Sequence, residues 1–448
     1  FTYPAPAFSA DATVDVQFLN GETVDGVTRT LNVHYLKSGT TLLRPTDAGV
    51  KFDAGSGKAA YDWVDVSAGK VSLTSNGALH GNWPTANMTD TLTVRVSGTL
   101  LDNVGPVVQV FADGVLLSTF EIRSSSPTYF KLPSLPLKVG QVIEVRPTNL
   151  ATGRSLKVDY AMSGRTVLLA TAGSLNASWP EPNLTDTLNI RARADVAGGV
   201  GAILQVIVDN ILVNTIEVNS TVNADYQIAV PPMKPGRKVD LVYINDAVVD
   251  GVDRNLYIAY LTTANTALLP TAAGITFDRG YGGAAFDGID VVPGTGSLTT
   301  NGALHLSWPA ANITSNVTVR ASATPAGGVG ALMTLWVNGI AVSATQVNST
   351  SPADFVMPSP TLAPGTPVEV TFGNPGTVDG VTRALNVSYL IANTTLLTPA
   401  SSGATYSAGN LTAAWPAANL TDTLTVRAYG ALAGNVGAKT DTEGLKSV

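Results

Sequence analysis

The sequence predicts an all-β protein made of tandem jelly-roll or immunoglobulin-like β-sandwich modules. Three observations support this fold class: short segments in which apolar and polar residues alternate, Asp-Gly or Asn-Gly turns between such segments, and the repetition of both along the chain. Helical periodicity is not found. Short strands at regular spacing with turn signals between them are typical of β-sandwiches.

The clearest repeat joins a polar turn to an alternating strand. It occurs at residues 25–36 (DGVTRTLNVHYL), 250–261 (DGVDRNLYIAYL) and 379–390 (DGVTRALNVSYL), and in weaker form at residues 151–160 (ATGRSLKVDY). After the turn, Leu, Val or Ile, and Tyr alternate with polar residues, which is the pattern of a half-buried strand. We interpret this motif as the closing strand of each module.

A second repeated marker is a Trp-Pro pair that ends an alternating strand. Its tryptophans are Trp83, Trp179, Trp308 and Trp415. An Asn-x-Thr turn and a further strand follow each pair, so we interpret the marker as the opening of a module. A tryptophan repeated at one position of every module is most often a core anchor, and a platform for stacking sugar is the alternative.

The middle of each module is a predicted β-hairpin. Residues 107–120 and 332–344 place Asp113-Gly114 and Asn338-Gly339 between alternating strands, the strongest short-range hairpin signal. Asp209-Asn210 occupies the same place in a third copy. Each module is therefore expected to contain an opening strand, a hairpin and closing strands.

These markers divide the chain into two half-modules, three complete modules and two linkers. The closing half of a module spans residues 1–45, complete modules span 76–170, 171–270 and 301–398, and an opening half spans 405–448. Acidic, Gly-rich segments at 46–75 and 271–300 are interpreted as linkers. The same spacing of 225 positions separates Trp83 from Trp308 and Arg29 from Arg254, so the true period is a pair of modules.

The two half-modules suggest a hypothesis about assembly. Residues 405–448 of one copy would complete a sandwich with residues 1–45 of the next, and such head-to-tail contacts build a filament. The alternative is that the chain is one period of a longer tandem protein; it begins with Phe1, as a processed or internal segment would. About a strand is missing in either case, since the 25 positions from Gly201 to Tyr226 correspond to about 14 at the junction.

The closing-strand motif resembles that of the calcium-dependent, xylan-binding carbohydrate-binding modules of families 36 and 60. The resemblance rests on the pattern Asp-Gly-x-Asp-Arg-Asn-Leu-Tyr-Ile-x-Tyr-Leu at residues 250–261. It implies a β-sandwich in which Ca²⁺, held by carboxylates and carbonyls, bridges protein and sugar hydroxyls. Only the third copy has the full acidic motif.

A calcium site is expected at Asp250 and Asp253, because two carboxylates around a Gly turn can converge on one hard cation. Asp25 and Asp379 are the counterparts of Asp250. Thr28 and Thr382 replace Asp253 in those copies, and the fourth copy lacks both acids.

The long linkers supply a second set of candidate calcium ligands. These are Asp53, Asp62 and Asp65 in one linker and Asp278, Asp287 and Asp290 in the other. Nearby Gly residues would let the loop wrap an ion, which would stiffen the joint between modules as a structural cofactor. The alternative is a solvated turn whose Asp side chains accept hydrogen bonds from backbone amides.

Composition argues against several functions. The chain has a net charge of −7, only 13% charged residues and no basic cluster, so neither nucleic acid nor an anionic membrane is an expected partner. Zero Cys excludes disulfides and thiolate chemistry, and no apolar run is long enough to span a membrane. His80 and His305 are replaced by Asn176 and Thr412 in sister modules, which favours a structural role and a protein that is not an enzyme.

The sequence therefore predicts an extracellular or cell-surface, secreted bacterial repeat protein of adhesive or structural type. Its partners would be further copies of itself, joined head to tail, and polysaccharide. The alternative is a calcium-dependent, xylan-type binding array within a larger secreted protein or glycoside hydrolase. Loss of the acidic ligands from most copies favours the fibre over the array.

Overall fold

The structure is a computed structural model that describes residue 5 and residues 7–55, 62–280 and 287–423. Every regular element in these residues is a β-strand, which confirms the all-β prediction, and no helix long and apolar enough to cross a membrane occurs among them. The chain divides into two compact units. One comprises Phe1–Thr187, Ile207–Asn214 and Ile228–Met233; the other comprises Leu188–Val206, Thr215–Gln227 and Lys234–Val448.

The first unit begins with a partial sandwich at residues 7–83. Its strands are β1 (Thr13–Phe18), β2 (Thr23–Val24), β3 (Val27–Thr28), β4 (Leu31–Asn32), β5 (Leu36–Ser38), β6 (Thr41–Leu43), β7 (Lys51–Ala54), β8 (Val66–Ala68), β9 (Ser72–Leu73) and β10 (Gly77–Asn82). One sheet has the order β1-β10-β7-β8, and β4 pairs with β9 and β5 with β6. Phe18, Phe52, Leu73 and Trp83 are central to its core.

A complete second sandwich follows in the same unit. Its strands are β11 (Asp90–Gly98), β12 (Val107–Ala112), β13 (Val115–Glu121), β14 (Thr128–Ser134), β15 (Val142–Pro147), β16 (Leu156–Ser163), β17 (Thr166–Leu169) and β18 (Leu175–Ser178). They form two antiparallel sheets, β14-β11-β16-β17 and β13-β12-β15-β18. Alternate residues of both sheets, such as Val94 and Val110, are fully buried between them.

The third sandwich contains the strands that position the candidate site. Its strands are β19 (Asp186–Ala194), β20 (Ala202–Val208), β21 (Ile211–Val218), β22 (Ala224–Val230), β23 (Lys238–Tyr243), β24 (Val248–Val249), β25 (Val252–Asp253), β26 (Leu256–Thr262), β27 (Ala267–Leu268), β28 (Thr276–Arg279), β29 (Val291–Pro293), β30 (Ser297–Leu298) and β31 (Gly302–Ser307). Within the second unit, β26 pairs with β19, β27 and β30, while β31 pairs with β23 and β28.

The fourth sandwich repeats the second with one added edge strand. Its strands are β32 (Ser315–Thr324), β33 (Ala331–Val337), β34 (Ile340–Val347), β35 (Ala353–Ser359), β36 (Pro367–Phe372), β37 (Thr377–Val378), β38 (Val381–Thr382), β39 (Ala384–Ala392), β40 (Thr395–Leu397), β41 (Thr405–Ser407) and β42 (Asn410–Ala414). The sheets have the orders β35-β32-β39-β40 and β34-β33-β36-β42-β41.

The Trp-Pro strand closes the preceding sandwich, whereas the sequence suggested that it opens the next. β10 pairs with β1, β18 with β15, β31 with β23 and β42 with β36. The four tryptophans that follow are at most 4% exposed, in agreement with the core-anchor interpretation. Alternation shows that a strand has a buried face but not which sandwich buries that face. Because these strands pair within the preceding sandwich, each sandwich boundary lies after the Trp-Pro pair.

The two segments interpreted as linkers, residues 46–75 and 271–300, also differ from expectation. Their described parts contain β7 to β9 and β28 to β30, and these strands are hydrogen-bonded into the sandwich sheets. Phe52 and Phe277, which the sequence placed among acidic turns, are 1% and 3% exposed. Each segment therefore extends a sheet instead of tethering two modules.

Tyrosines of the closing strands join successive sandwiches. The Tyr35 hydroxyl accepts a hydrogen bond from the Leu116 amide at 3.3 Å, and the Tyr160 hydroxyl accepts one from Leu212 at 2.9 Å. Tyr260 makes the same contact with the backbone of Ala341. Each strand that donates this amide begins just after a hairpin turn, so one repeated contact fixes the hairpin of one sandwich against the preceding closing strand.

Candidate calcium site

The arginine of the closing-strand motif supports the local backbone. Arg254 is 6% exposed, and its guanidinium donates to the carbonyls of Val200 at 3.0 Å and Ala197 at 2.9 Å, and also to that of Asn245. Arg154 and Arg383 make the equivalent three contacts in the second and fourth sandwiches. A planar fork with five donors suits this role, so the arginine holds three chain segments together.

Asp250 is part of a tight hairpin turn, and so are its counterparts. β24 and β25 pair across Asp250-Gly251, where Asp250 has φ 53° and Gly251 has φ 78°. Asp25 and Asp379 have φ values of 52° and 50° in the equivalent β2–β3 and β37–β38 turns. Two successive left-handed residues define a type I′ turn, for which Asp-Gly is a preferred pair. Turn geometry therefore explains these three aspartates without an ion.

A different set of polar residues is unique to the third sandwich. At the position of Asp195 the second and fourth sandwiches have Thr99 and Thr324, and at the position of Asp246 they have Leu150 and Pro375. In those copies, Asp253 corresponds to Gly153 and Thr382, Asn255 to Ser155 and Ala384, and Tyr257 to Lys157 and Asn386. At these five positions the third sandwich thus carries three Asp, one Asn and one Tyr side chain on a scaffold that the other copies share.

These side chains form a hydrogen-bonded corner at the start of β26. The Tyr257 hydroxyl donates to Asp195 Oδ2 at 2.9 Å, and Asn255 Nδ2 contacts Asp195 Oδ2 at 3.3 Å and Asp253 Oδ2 at 3.4 Å. Among the described residues, Asn255 Oδ1 and Asp246 Oδ1 are both buried and have no hydrogen-bond partner. A buried oxygen without a partner is unfavourable, so both atoms are suited to an additional ligand.

The electrostatics of the corner show that the carboxylates influence one another. Burial, followed by the charge of Asp253, raises the pKa of Asp246, and Arg254 opposes the shift. Burial raises the pKa of the Tyr243 phenol, and the charges of Asp246, Asp253 and Asp195 raise it further. Three carboxylates therefore act on Tyr243 and Arg254 opposes them there, while Arg193 Nη1 lies 3.9 Å from Asp195 Oδ1. A cation would relieve this excess of negative charge.

The donor set fits Ca²⁺ in its chemistry. Carboxylate and amide oxygens are the ligands that calcium prefers. Over residues 7–55, 62–280 and 287–423, no group of three or more His, Asp or Glu side chains is already arranged to hold a metal ion. Binding here would therefore require Asp253, which is exposed at the end of β25, to move towards Asp246.

Sequence reasoning identified Asp253 but missed Asp195, Asp246, Asn255 and Tyr257. Asp195 follows β19 and Asp246 follows β23, and strand pairing brings both near the motif. A comparison of the copies position by position would have found them, because Asp195 and Asp246 are acidic in the third copy alone and none of the four residues recurs at its position in the second or fourth copy.

The candidate ligands of the long loops are engaged in the contacts of capped turns. Asp53 and Asp278 are at most 2% exposed, and their Oδ2 atoms accept hydrogen bonds from the amides of Trp63 and Gly288 at 2.9 and 3.0 Å. The Asp62 and Asp287 carboxylates accept from the amides two residues later. Asp65 and Asp290 are exposed. Backbone capping accounts for Asp62 and Asp287, while Asp53 Oδ1 and Asp278 Oδ1 have no hydrogen-bond partner in the part of the chain that the structure describes.

The two candidate histidines are paired with carboxylates inside the sheets. His80 Nδ1 lies 2.7 Å from Asp15 Oδ1, and His305 Nδ1 lies 2.7 Å from Asp240 Oδ1. His305 Nε2 is also 3.9 Å from Asp278 Oδ2. The hydrogen bond with Asp240 raises the pKa of His305, and burial opposes this shift. These contacts tie neighbouring strands together.

The His305 contact predicts a pH dependence of stability. Because the folded-state pKa is above the unfolded value of about 6.5, the contact stabilises the fold fully below that pH and is lost as the pH rises through the folded-state pKa. We expect the wild-type chain to lose up to about 1 kcal/mol of unfolding free energy over this rise. Melting followed by circular dichroism across this range checks it. A His305→Gln variant with the same slope would contradict the assignment.

Asp250→Asn distinguishes a turn residue from a calcium ligand. Asn-Gly forms type I′ turns as readily as Asp-Gly, so we expect calcium affinity within about twofold of wild type and stability within about 0.5 kcal/mol. Calcium titration calorimetry measures the affinity, and Asp379→Asn is the matched control in the fourth sandwich. A loss of tenfold or more for Asp250→Asn alone would make Asp250 a ligand.

The oxygen-rich corner lies in a β-sandwich of antiparallel strands. Residues 187–278 match the family model of CBM60, described as a Ca-dependent, xylan-binding carbohydrate-binding module. The match confirms the predicted resemblance in this stretch, which runs from β19 into β28 and contains the whole corner. No curated protein and no solved structure matched the chain.

Proposed function

We propose that the third sandwich binds a xylan-type polysaccharide through a calcium ion held by Asp195, Asp246, Asp253 and the side-chain oxygen of Asn255. The observation that carries this proposal is the buried Oδ1 of Asp246, which has no hydrogen-bond partner among the described residues and belongs to a set of three carboxylates found in this copy alone. The family match over residues 187–278 supports both the ion and the ligand class.

Each residue of the corner has a distinct part in this function. Asp246 supplies a half-buried carboxylate whose pKa is raised by burial and by the charge of Asp253. Asp195 orients Tyr257 and Asn255, and Arg254 fixes the backbone from which Asp253 and Asn255 project. Calcium, when bound, would offer open coordination positions to sugar hydroxyls. Because Asp253 is exposed, the ion would lie where a polymer can reach it.

Affinity electrophoresis of the full chain through gels that contain soluble xylan tests this function. We expect strong retardation with calcium, much weaker retardation after chelation, and recovery when calcium is restored. A neutral polysaccharide of different linkage, such as a β-glucan, is the control for polymer class. Equal migration in all gels would refute polysaccharide binding, and retardation that chelation does not reduce would refute the role of calcium.

The proposed binding function also bears on whether the protein is an enzyme and on where it is located. The matched family consists of binding modules, which supports a protein that is not an enzyme. The polysaccharide ligand class supports a location outside the cell, at the cell surface or as part of a larger secreted protein.

A structural calcium in each long loop is a separable part of the proposal. The buried Asp53 and Asp278 each retain one carboxylate oxygen without a partner, which supports a second type of ion site beside Asp62, Asp65, Asp287 and Asp290. Equilibrium dialysis against calcium would count the ions. One ion per chain would restrict calcium to the third sandwich, and three would include both loops.

Head-to-tail assembly is a second candidate function, and one observation favours it. β15 and β36 are paired on both sides, by β12 and β18 and by β33 and β42. Their counterpart β1 pairs with β10 alone among the described residues, although Val14 and Val16 pack on the core of the first sandwich. An open strand edge accepts a strand from another chain.

Residues 424–448, which lie outside the described residues, are the segment we assign to this edge in a neighbouring copy. Their sequence begins with Leu-Thr-Val-Arg, as in β11, and β12, the strand that follows β11 in the chain, is the one that pairs with β15 at the equivalent edge. Electron microscopy of the purified chain tests the assignment. Filaments that disappear when residues 424–448 are deleted would support it, while dispersed particles in both samples would contradict it.

A further inference from the structure

Trp63 is the exposed tryptophan of this protein. Its side chain is 59% exposed, while Trp83, Trp179, Trp308 and Trp415 are at most 4% exposed and Trp336 is half-buried. Val64 beside it is 75% exposed. A large apolar ring in water is unfavourable unless something covers it in function.

The backbone at Trp63 is strained, and its counterpart in the third sandwich is not. Trp63 has φ 56°, in the left-handed region that a bulky side chain rarely occupies. The equivalent residue is Gly288, with φ 72°, for which this conformation has no steric cost. The turn therefore suits glycine, and the first sandwich carries tryptophan there at a cost in stability. Strain of this kind is concentrated at functional sites.

The exposed indole rests on a rigid base. Its ring stacks on that of His80, with centroids 4.8 Å apart and planes at 29°. His80 is 5% exposed and bonded to Asp15, and the Trp63 amide donates to the buried Asp53 carboxylate at 2.9 Å. Stacking on His80 therefore orders the Trp63 ring. An ordered aromatic surface binds a ligand with little loss of conformational entropy.

We propose that Trp63 is a second polysaccharide-binding platform, on which the apolar face of a pyranose ring stacks. The exposed carboxylates of Asp62 and Asp65 flank it and can accept hydrogen bonds from sugar hydroxyls. The ligand class rests on the proposed function of the third sandwich. The platform lies outside residues 187–278 and uses none of the oxygens of the calcium corner. It therefore adds a calcium-independent contact to the same polymer.

Tryptophan fluorescence of the full chain in the presence of chelator tests the platform. Soluble xylan is expected to shift the emission of wild-type protein to shorter wavelength and to saturate, because Trp63 dominates the exposed emission. The Trp63→Gly variant should show no shift. Its affinity for long xylan with calcium present should fall by about threefold to tenfold, the contribution of one aromatic contact.

Trp63→Gly also separates binding from structure, since glycine removes the backbone strain. The melting temperature of the variant should stay within about 2 °C of wild type or rise. If it falls further, Trp63→Asn, which also tolerates the left-handed region, replaces it. The proposal is overturned if xylan leaves the wild-type emission unchanged. It is also overturned if the emission shifts with protein concentration alone, because Trp63 would then mediate self-association.

Failure of the platform and failure of the calcium site give different results. Asp246→Asn should abolish calcium-dependent retardation in xylan gels yet keep the fluorescence shift in chelator. Trp63→Gly should lose the shift yet keep calcium-dependent retardation, although weakened.

Discussion

Asp246→Asn is expected to weaken calcium binding by at least about tenfold and to remove calcium-dependent xylan binding. The substitution keeps the shape of the side chain but removes one of the charges that surround Tyr243. Titration calorimetry with calcium measures the loss. Asp209→Asn, in a hairpin turn with φ 48°, is the matched control and should bind calcium as wild type does.

The same residue predicts how calcium affinity depends on pH. Because burial raises the pKa of Asp246, its proton competes with calcium at mildly acidic pH, so affinity should fall as the pH is lowered through that range. Asp246→Asn should flatten this dependence. A steep pH dependence that persists in the variant, or unchanged calcium affinity at neutral pH, would place the ion elsewhere.

Arg254→Lys is expected to destabilise the third sandwich by about 3 kcal/mol or more and to abolish calcium binding with it. A lysine can replace at most some of the hydrogen bonds that the guanidinium donates to the carbonyls of Ala197, Val200 and Asn245. Buried carbonyls without donors are costly. The backbone beside Asp246 and Asp253 would lose its support. Hydrogen exchange followed sandwich by sandwich measures the loss, because a chain of several modules does not unfold in one step.

Arg383→Lys is the control that separates the two effects. It breaks the same three contacts in the fourth sandwich, where the acidic corner is missing. We expect comparable loss of exchange protection there and normal calcium affinity. If both variants lose calcium equally, the ion does not belong to the third sandwich; if neither loses protection, the arginine is not a structural support.

Much of the fold could be predicted from local sequence because short-range residue patterns determine it. Asp113-Gly114 and Asn338-Gly339 form the predicted hairpins, since β12 pairs with β13 and β33 with β34. Trp308 and its counterparts are buried as core anchors. The sequence did not show which sandwich contains the Trp-Pro strand. A strand with one apolar face can pack in the sandwich that precedes it in the chain or in the one that follows.

The candidate site was only partly predictable for the same physical reason. Asp253 belongs to a local motif, whereas Asp195 and Asp246 reach it through the pairing of β19 with β26 and through the three-way contact of Arg254. Asp250 attracted attention because of its charge, but its left-handed backbone shows that the turn requires an Asp or Asn there. In a repeat protein, residues shared by all copies describe the scaffold. Residues found in one copy point to function.

Anomalous diffraction at long wavelength from crystals of the full chain, soaked with calcium and a xylo-oligosaccharide, would locate the ion and the sugar together. We expect an anomalous peak between the carboxylates of Asp195, Asp246 and Asp253, with sugar hydroxyls in contact with the ion. Sugar bound away from any anomalous peak, or a calcium peak confined to the loops of Asp53 and Asp278, would contradict this expectation.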